Sequence, residues 1–269
     1  MPFVQVNGIE LYYELHGSGP PLVFAHGSGG NHLSWWQQIP FFSQWYTCIV
    51  FDHRSFGFSH DSSESQGRRA FADDIKGLLD HLKVEQAAIV AQSMGGRTGV
   101  GFTIRNPGRV KALVLCGSNG GSVNEESYRV RQERQENHRP LPAGAVRALS
   151  PGFTAREPEK TLLYKMIMHL NPRHSADFLA APPGYRGSTS GRLAETGVPI
   201  LYMVGEEDMV TSPRIIEIAA SLIPSARFMQ VPDTGHSVYF EKPELFNKVV
   251  LEFLREAHVP NTPIPADKG

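Results

Sequence analysis

A continuous apolar run, Ala87-Ala88-Ile89-Val90, passes through Ala91-Gln92-Ser93 directly into Met94-Gly95-Gly96 and a segment that reads as helix. An unbroken apolar stretch of this length suits a strand buried on both faces of a parallel sheet. Joining such a strand to a helix within a few residues demands a tight turn, where the small Ala91, Gly95 and Gly96 avoid collisions. A serine at that turn has its hydroxyl lifted clear of the backbone. The neighbouring amides point toward the helix N-terminus, where partial positive charge gathers. Ser93 is therefore a candidate nucleophile, against the plainer reading of an N-cap serine.

Further strand-like runs fall at residues 3–7, 9–16, 21–26, 46–52, 110–116, 198–204 and 226–231, which with 87–92 makes eight. Helical patterns lie between them. Over Phe71–Leu82, for example, Phe71, Ile75, Leu78, Leu79 and Leu82 share one face while the acids face water. Alternating strands and helices imply an α/β fold with a mostly parallel sheet. Asn7-Gly8 is a hairpin turn signal, so the first two strands are expected to pair antiparallel. Gly95, Gly96, Gly99 and Gly101 recur in one helix, where each costs about 1 kcal/mol against alanine. Close approach of that helix to the sheet is the expected reason.

A serine nucleophile needs a base to take its proton and an acid to orient that base. Asp208 follows the run Val198–Val204, and His236 follows the run Ala226–Val231, ahead of the helical segment Pro243–Ala257. Both fall past the carboxyl ends of strands, where open parallel sheets carry their chemistry. Glu206, Glu207 and Asp233 are competing acids. The segment after the sixth strand, Gly117-Ser118-Asn119, has no carboxylate.

From about residue 3 to about residue 257 the chain resembles the α/β-hydrolase superfamily, in its capped serine esterase or lactonase form. Ala91-Gln92-Ser93-Met94-Gly95 stands where that family has its Gly-x-Ser-x-Gly nucleophile elbow, with alanine for the first glycine. Ser93, Asp208 and His236 follow the family order of nucleophile, acid and base. His26-Gly27-Ser28-Gly29-Gly30 matches the family's His-Gly-x-x-Gly loop, and Asp52-His53-Arg54-Ser55-Phe56-Gly57-Phe58-Ser59 its Asp-x-Arg-Gly-x-Gly-x-Ser segment, with Ser55 for glycine. The resemblance implies an eight-stranded, mostly parallel sheet flanked by helices. It also implies an oxyanion hole made by the backbone amides of Ser28 and Met94, with His26 bracing the loop. His53, Arg54 and Ser59 are assigned to structure.

The pattern of alternating elements breaks between Gly120 and Gly197. Residues 121–196 are read as a helical cap inserted into a core of residues 1–120 and 197–269. In it Leu162, Leu163, Met166, Ile167 and Leu170 have helical spacing, and Pro140, Pro142, Pro151, Pro182 and Pro183 mark turns. Trp35, Trp36, Phe153 and Tyr164 are the candidates for substrate contact, with Met168 and Phe178 as further pocket residues; core packing competes for each. Between residues 122 and 196 stand eleven Lys and Arg against eight Asp and Glu, read as solvated faces too nearly balanced to argue for an anionic substrate.

The 269 residues suffice for one core with an insertion. A net charge of -1 gives no basis for a nucleic-acid or anionic-membrane partner. No apolar run is long enough to span a bilayer. The start at Phe3–Val6 lacks a signal-peptide pattern, so a cytoplasmic protein is expected. Cys48 and Cys116 sit in strand-like runs and read as buried, unpaired residues. No dinucleotide-type glycine loop is present, and His169 and His174 lack metal-ligand spacing, so no cofactor or metal is implied. Residues 260–269 read as a loose polar tail. Oligomeric state is open.

The expected activity is hydrolysis of a carboxylic ester or lactone through an acyl-serine. Serine at the elbow argues against the aspartate-nucleophile epoxide hydrolases and haloalkane dehalogenases of the superfamily. Carbon–carbon bond hydrolysis of vinylogous diketones is an alternative, although that group has Asn before the serine and Trp after the histidine where this chain has Gln92 and Ser237. Cofactor-free perhydrolase or haloperoxidase-like action is another. A ligand-binding relative without catalysis is the alternative outside enzymology.

Overall fold

The structure is a computed structural model that describes residues 3–61, 66–137, 146–173, 178–179 and 188–259. Eight strands form one sheet: β1 (Phe3–Val6), β2 (Ile9–His16), β3 (Pro21–Ala25), β4 (Thr47–Phe51), β5 (Ala87–Gln92), β6 (Val110–Cys116), β7 (Ile200–Gly205) and β8 (Arg227–Val231). Their order is β1-β2-β4-β3-β5-β6-β7-β8. β1 pairs with β2 and β2 with β4 antiparallel, and every other neighbouring pair is parallel. The Asn7-Gly8 turn supports the first pairing with both residues at positive φ, 47° and 76°.

The interior strands β5 and β7 are buried at every position, as an unalternating apolar run requires once both sheet faces are covered. One face packs α2 (Phe71–His81), α3 (Met94–Arg105) and α8 (Pro213–Ser221) onto Val23, Ile49, Ile89 and Leu113. The other carries α1 (Ile39–Phe42), α9 (Val238–Glu241) and α10 (Pro243–Glu256) against Leu22, Phe24, Val90 and Met203. Residues adjacent in each strand thus serve opposite cores, the period of two expected of a pleated strand.

Glycine lets α3 approach the sheet. A Cβ on Gly95 would stand 2.2 Å from the carbonyl oxygen of Ala25, and one on Gly99 would press Leu113 at 3.0 Å. Gly101 instead faces Ala72 of the neighbouring α2, so close sheet contact does not explain it. Between β6 and β7 lie α4 (Glu125–Glu136), α5 (Pro151–Arg156), α6 (Pro158–His169) and α7 (Ser190–Glu195). Within α6 the buried residues are Thr161, Tyr164 and Ile167, while Leu162, Met166 and Leu170 at its end are more than half exposed. The helical spacing is present, and of its five apolar residues Ile167 and Leu163 face the core while Leu162, Met166 and Leu170 face out.

Cys48 and Cys116 are buried and unpaired. The turn signals at Pro140, Pro142, Pro182 and Pro183 and the polar tail 260–269 lie outside the described residues. Among the described residues no helix is long and apolar enough to cross a membrane.

Candidate active site

Ser93 occupies the one-residue junction between β5 and α3 with φ 52° and ψ -112°. For a side chain other than glycine this left-handed region is strained, as befits a serine forced outward at a strand-to-helix elbow. Its backbone N–H donates to the Cys116 carbonyl at 2.8 Å, which fastens the turn to the end of β6. Among the described residues the Ser93 hydroxyl makes no hydrogen bond, to His236 Nε2 or to any other group. The twelve residues of α3 begin directly behind it, placing the positive end of the helix dipole at its back.

His236 stands in the loop after β8 with its ring laid over Gly117, the residue that follows β6. A Cβ on Gly117 would lie 2.8 Å from both Cε1 and Nδ1 of that ring. Ser93 is thus tied to Cys116 and the His236 ring lies over the next residue, Gly117, so consecutive residues at the end of β6 carry the two. His236 Nδ1 is 2.7 Å from Asp208 Oδ2, and both side chains are nearly sealed from solvent. The other carboxylate oxygen, Asp208 Oδ1, accepts the backbone N–H groups of Val210 and Thr211, each at 2.7 Å. With one oxygen committed to the backbone, the other is held toward the imidazole. Nε2 has no partner among the described residues. Glu206, Glu207 and Asp233 are exposed and do not hydrogen-bond to His236.

The loop that carries this histidine is fixed from both sides. Gly235 N–H and Ser150 N–H donate to Glu241 Oε1, and the Ser150 hydroxyl to Oε2. Burial pushes the Glu241 carboxyl above its ordinary pKa, while these three donors oppose that shift. Ser237 N–H donates to the Ala148 carbonyl, and the Ser237 and Tyr164 hydroxyls are 2.9 Å apart. Nothing in the sequence pattern marked Glu241 for this task, because Ser150, which supplies two of its three donors, lies 91 residues away.

The loop after β3 presents a backbone donor. His26 is completely buried; its Nδ1–H donates to Gly27 O at 2.8 Å, and its Nε2 accepts the His53 N–H at 2.9 Å. Burial lowers the His26 pKa to about 4, which keeps the ring neutral and preserves this donor–acceptor pair. Gly30 N–H also donates to Gly27 O, at 2.9 Å. A trans peptide carries its C=O and N–H in opposite directions, so fixing Gly27 O aims the Ser28 N–H away from His26. Neither the Ser28 N–H nor the Met94 N–H is used by a described residue; the latter belongs to the first turn of α3, where donors lack helical partners. The loop is clipped to α6: Asn171 Nδ2 donates to Gly30 O at 3.1 Å, and Asn31 Nδ2 to Ile167 O at 2.9 Å.

Ser28, Ser93, Met94 and Gly117 open onto one cavity of about 870 Å³. The four expected substrate-contact residues do not line it. Trp35 is fully buried, its ring 5.1 Å from Phe24 and 4.7 Å from Tyr239, because its 3₁₀ turn points it into the core. Trp36 is part-exposed beside Phe240 instead. Phe153 also packs near Phe240, and Tyr164 is consumed by Ser237. Met168 covers Gly29, and Phe178 stacks near Phe56 and Phe71. His53, Arg54 and Ser59 are buried structural residues; Arg54 forms a two-bonded pair with Asp74 at 2.7 Å. Ser55 keeps φ at 62°, the conformation a glycine would adopt there. No group of three His, Cys, Asp or Glu is assembled as metal ligands would be among the described residues.

The alpha/beta hydrolase fold family matches residues 20–243. A thermophilic esterase from Thermogutta terrifontis, solved with malate bound, superposes with a TM-score of 0.77 at 28% identity, covering 96% of this chain and all of that one. A 3-oxoadipate enol-lactonase from Acinetobacter baylyi is 26% identical, with 90% of this chain and 92% of the enzyme covered. A Mycobacterium tuberculosis protein bearing the provisional name non-heme bromoperoxidase BpoC is 28% identical, with 91% and 97% covered.

Proposed function

Because the chain belongs to the alpha/beta hydrolase fold family, we propose that it is a serine hydrolase that cleaves a carboxylic ester or lactone through an acyl-serine intermediate. In the first half-reaction Ser93 Oγ bonds to the carbonyl carbon while its proton passes to His236 Nε2. Asp208 holds the Nδ1–H and stabilises the imidazolium as it forms. The negative charge on the former carbonyl oxygen is received by the N–H groups of Ser28 and Met94, donors already in place before charge develops. Collapse breaks the bond to the alcohol oxygen, which takes the proton from Nε2. Water then gives a proton to Nε2 and its oxygen to the acyl carbon; the Oγ–acyl bond breaks, the acid leaves, and the Nε2 proton returns to Ser93 Oγ.

The observation that carries this reading is that Ser93 and His236 are seated on consecutive residues, Ser93 on Cys116 and His236 over Gly117, with Asp208 2.7 Å behind the ring. The names of the esterase and the lactonase support an ester-type bond. Against carbon–carbon hydrolysis, Ser237 stands after the histidine and its hydroxyl is engaged by Tyr164. The relation to BpoC favours a second reading in which peroxide replaces water on the same acyl-serine. Halogenation in the presence of acetate and peroxide separates the two.

A panel of p-nitrophenyl esters of graded chain length, with several lactones, tests the proposal against Ser93→Ala. Turnover is expected to fall by about 10⁴-fold or more. Near-normal hydrolysis by the variant would remove Ser93 from the chemistry. We further propose that residues 121–196 act as the cap that closes the site, and that the protein works in the cytoplasm on a small-molecule substrate.

A further inference from the structure

The wall of the cavity at Ser93 is studded with arginine. Arg131 and Arg134 reach it from α4, Arg147 from the segment before α5, Arg192 from α7, Arg97 from α3 and Arg68 from the turn before α2; Arg69 and Arg105 add to the rim. Among the described residues no aspartate or glutamate lines it. Arg105 is paired with Asp73. Arg131, Arg134, Arg147 and Arg192 make no ion pair with a described carboxylate. Two of them bond to backbone carbonyls beside the candidate acid: Arg134 Nη2 to Asp208 O at 3.1 Å and Arg147 Nη2 to Met209 O at 3.2 Å. These bonds hold the guanidinium groups in place without neutralising them.

Like charges gathered around a half-enclosed space repel one another and focus a positive potential into it. A net charge of -1 over the whole chain makes the local excess a matter of placement, not of composition. Guanidinium groups present planar forks of donors that match the oxygens of carboxylate and phosphate. We propose that the substrate carries, beside its reacting carbonyl, an oxyanion group (carboxylate or phosphate) that these arginines receive. The position of the reacting carbonyl rests on the serine-hydrolase reading; the anion site stands on the arginines themselves.

Two measurements separate the ideas. In calorimetry with wild type and Ser93→Ala, glutarate and glycerol 2-phosphate are the anionic probes and glutaramide the neutral one. At least one anion is expected to bind and glutaramide not to; which anion binds identifies the group. In kinetics, mono-p-nitrophenyl glutarate is compared with p-nitrophenyl butyrate at low and high salt and in Arg131→Gln, Arg192→Gln and the double variant. The anionic-to-neutral ratio of kcat/KM is expected to fall about tenfold on loss of a charge-assisted contact, and to fall with added salt in the wild type, which needs no variant to fold. Equal binding of glutarate and glutaramide, or no binding of either anion, would overturn the proposal, as would a ratio that neither salt nor the variants move. Anion binding without turnover of either ester would instead remove the hydrolase reading and leave the anion site standing.

Discussion

His26 Nε2 accepts the backbone N–H of His53 across 2.9 Å, which joins the loop after β3 to the loop after β4 inside the protein. Through its other nitrogen the same ring sets the Gly27–Ser28 peptide, and so the direction of the Ser28 N–H. His26→Ala frees that peptide to rotate. The expected result is a loss in kcat of about 10²-fold, the order observed when one oxyanion donor is lost, with a smaller change in KM. Steady-state kinetics on a p-nitrophenyl ester check it.

The same burial ties stability to pH. The His26 pKa is held at about 4 in the folded protein and that of His53 well below its ordinary value, both chiefly through burial. An unfolded histidine titrates near 6.5. Their contribution is complete above pH 6.5 and is lost as the pH falls toward 4, because only the unfolded chain takes up protons in that window. Urea unfolding measured between pH 7 and pH 4.5 is expected to show this decline. In His26→Gln the proton uptake on unfolding near pH 5 should drop by about 0.9.

Asp208 is singled out from Glu206, Glu207 and Asp233 by its 2.7 Å contact with His236. In Asp208→Asn the remaining oxygen can still accept from Val210 and Thr211, so the fold is retained. The amide disfavours the tautomer with hydrogen on Nδ1, and kcat is expected to fall by about 10⁴-fold. Glu206→Gln, Glu207→Gln and Asp233→Asn should keep near-normal activity; a comparable loss in one of them would move the acid's role to that residue.

Gly117 sits under the imidazole at φ 61°. A methyl group there would stand 2.8 Å from Cε1 and Nδ1 and must push the ring aside. Gly117→Ala is expected to lower kcat by about 10²-fold, the cost of a displacement near one ångström. Circular dichroism should show the fold intact, with a urea midpoint lowered by the strain of alanine at this φ.

The sheet was legible because its signals are local. All eight strands stand within two residues of the runs read from apolar continuity, and Asn7-Gly8 announced the hairpin. Asp208 and His236, expected past two different strand ends, meet at 2.7 Å because strand ends in a parallel sheet gather on one edge. What failed was inward direction outside regular periodicity. Trp35 and Trp36 are neighbours in sequence, yet a 3₁₀ turn buries the first completely and leaves the second 39% exposed. Tyr164 looked like a cavity wall and instead holds Ser237. The arginines were hidden for another reason. They come from separate segments whose charges balance along the chain, and only tertiary placement sets Arg68, Arg97, Arg131 and Arg192 around one space.

Stoichiometric reaction with a fluorophosphonate, read by intact mass and peptide mapping, tests the role of Ser93 most directly. One phosphonyl group per chain on the peptide containing Ser93, absent in Ser93→Ala and slowed in Asp208→Asn, is the expected result. Labelling that persists in Ser93→Ala, or a wild-type protein that hydrolyses esters yet never takes the label at Ser93, would contradict the assignment.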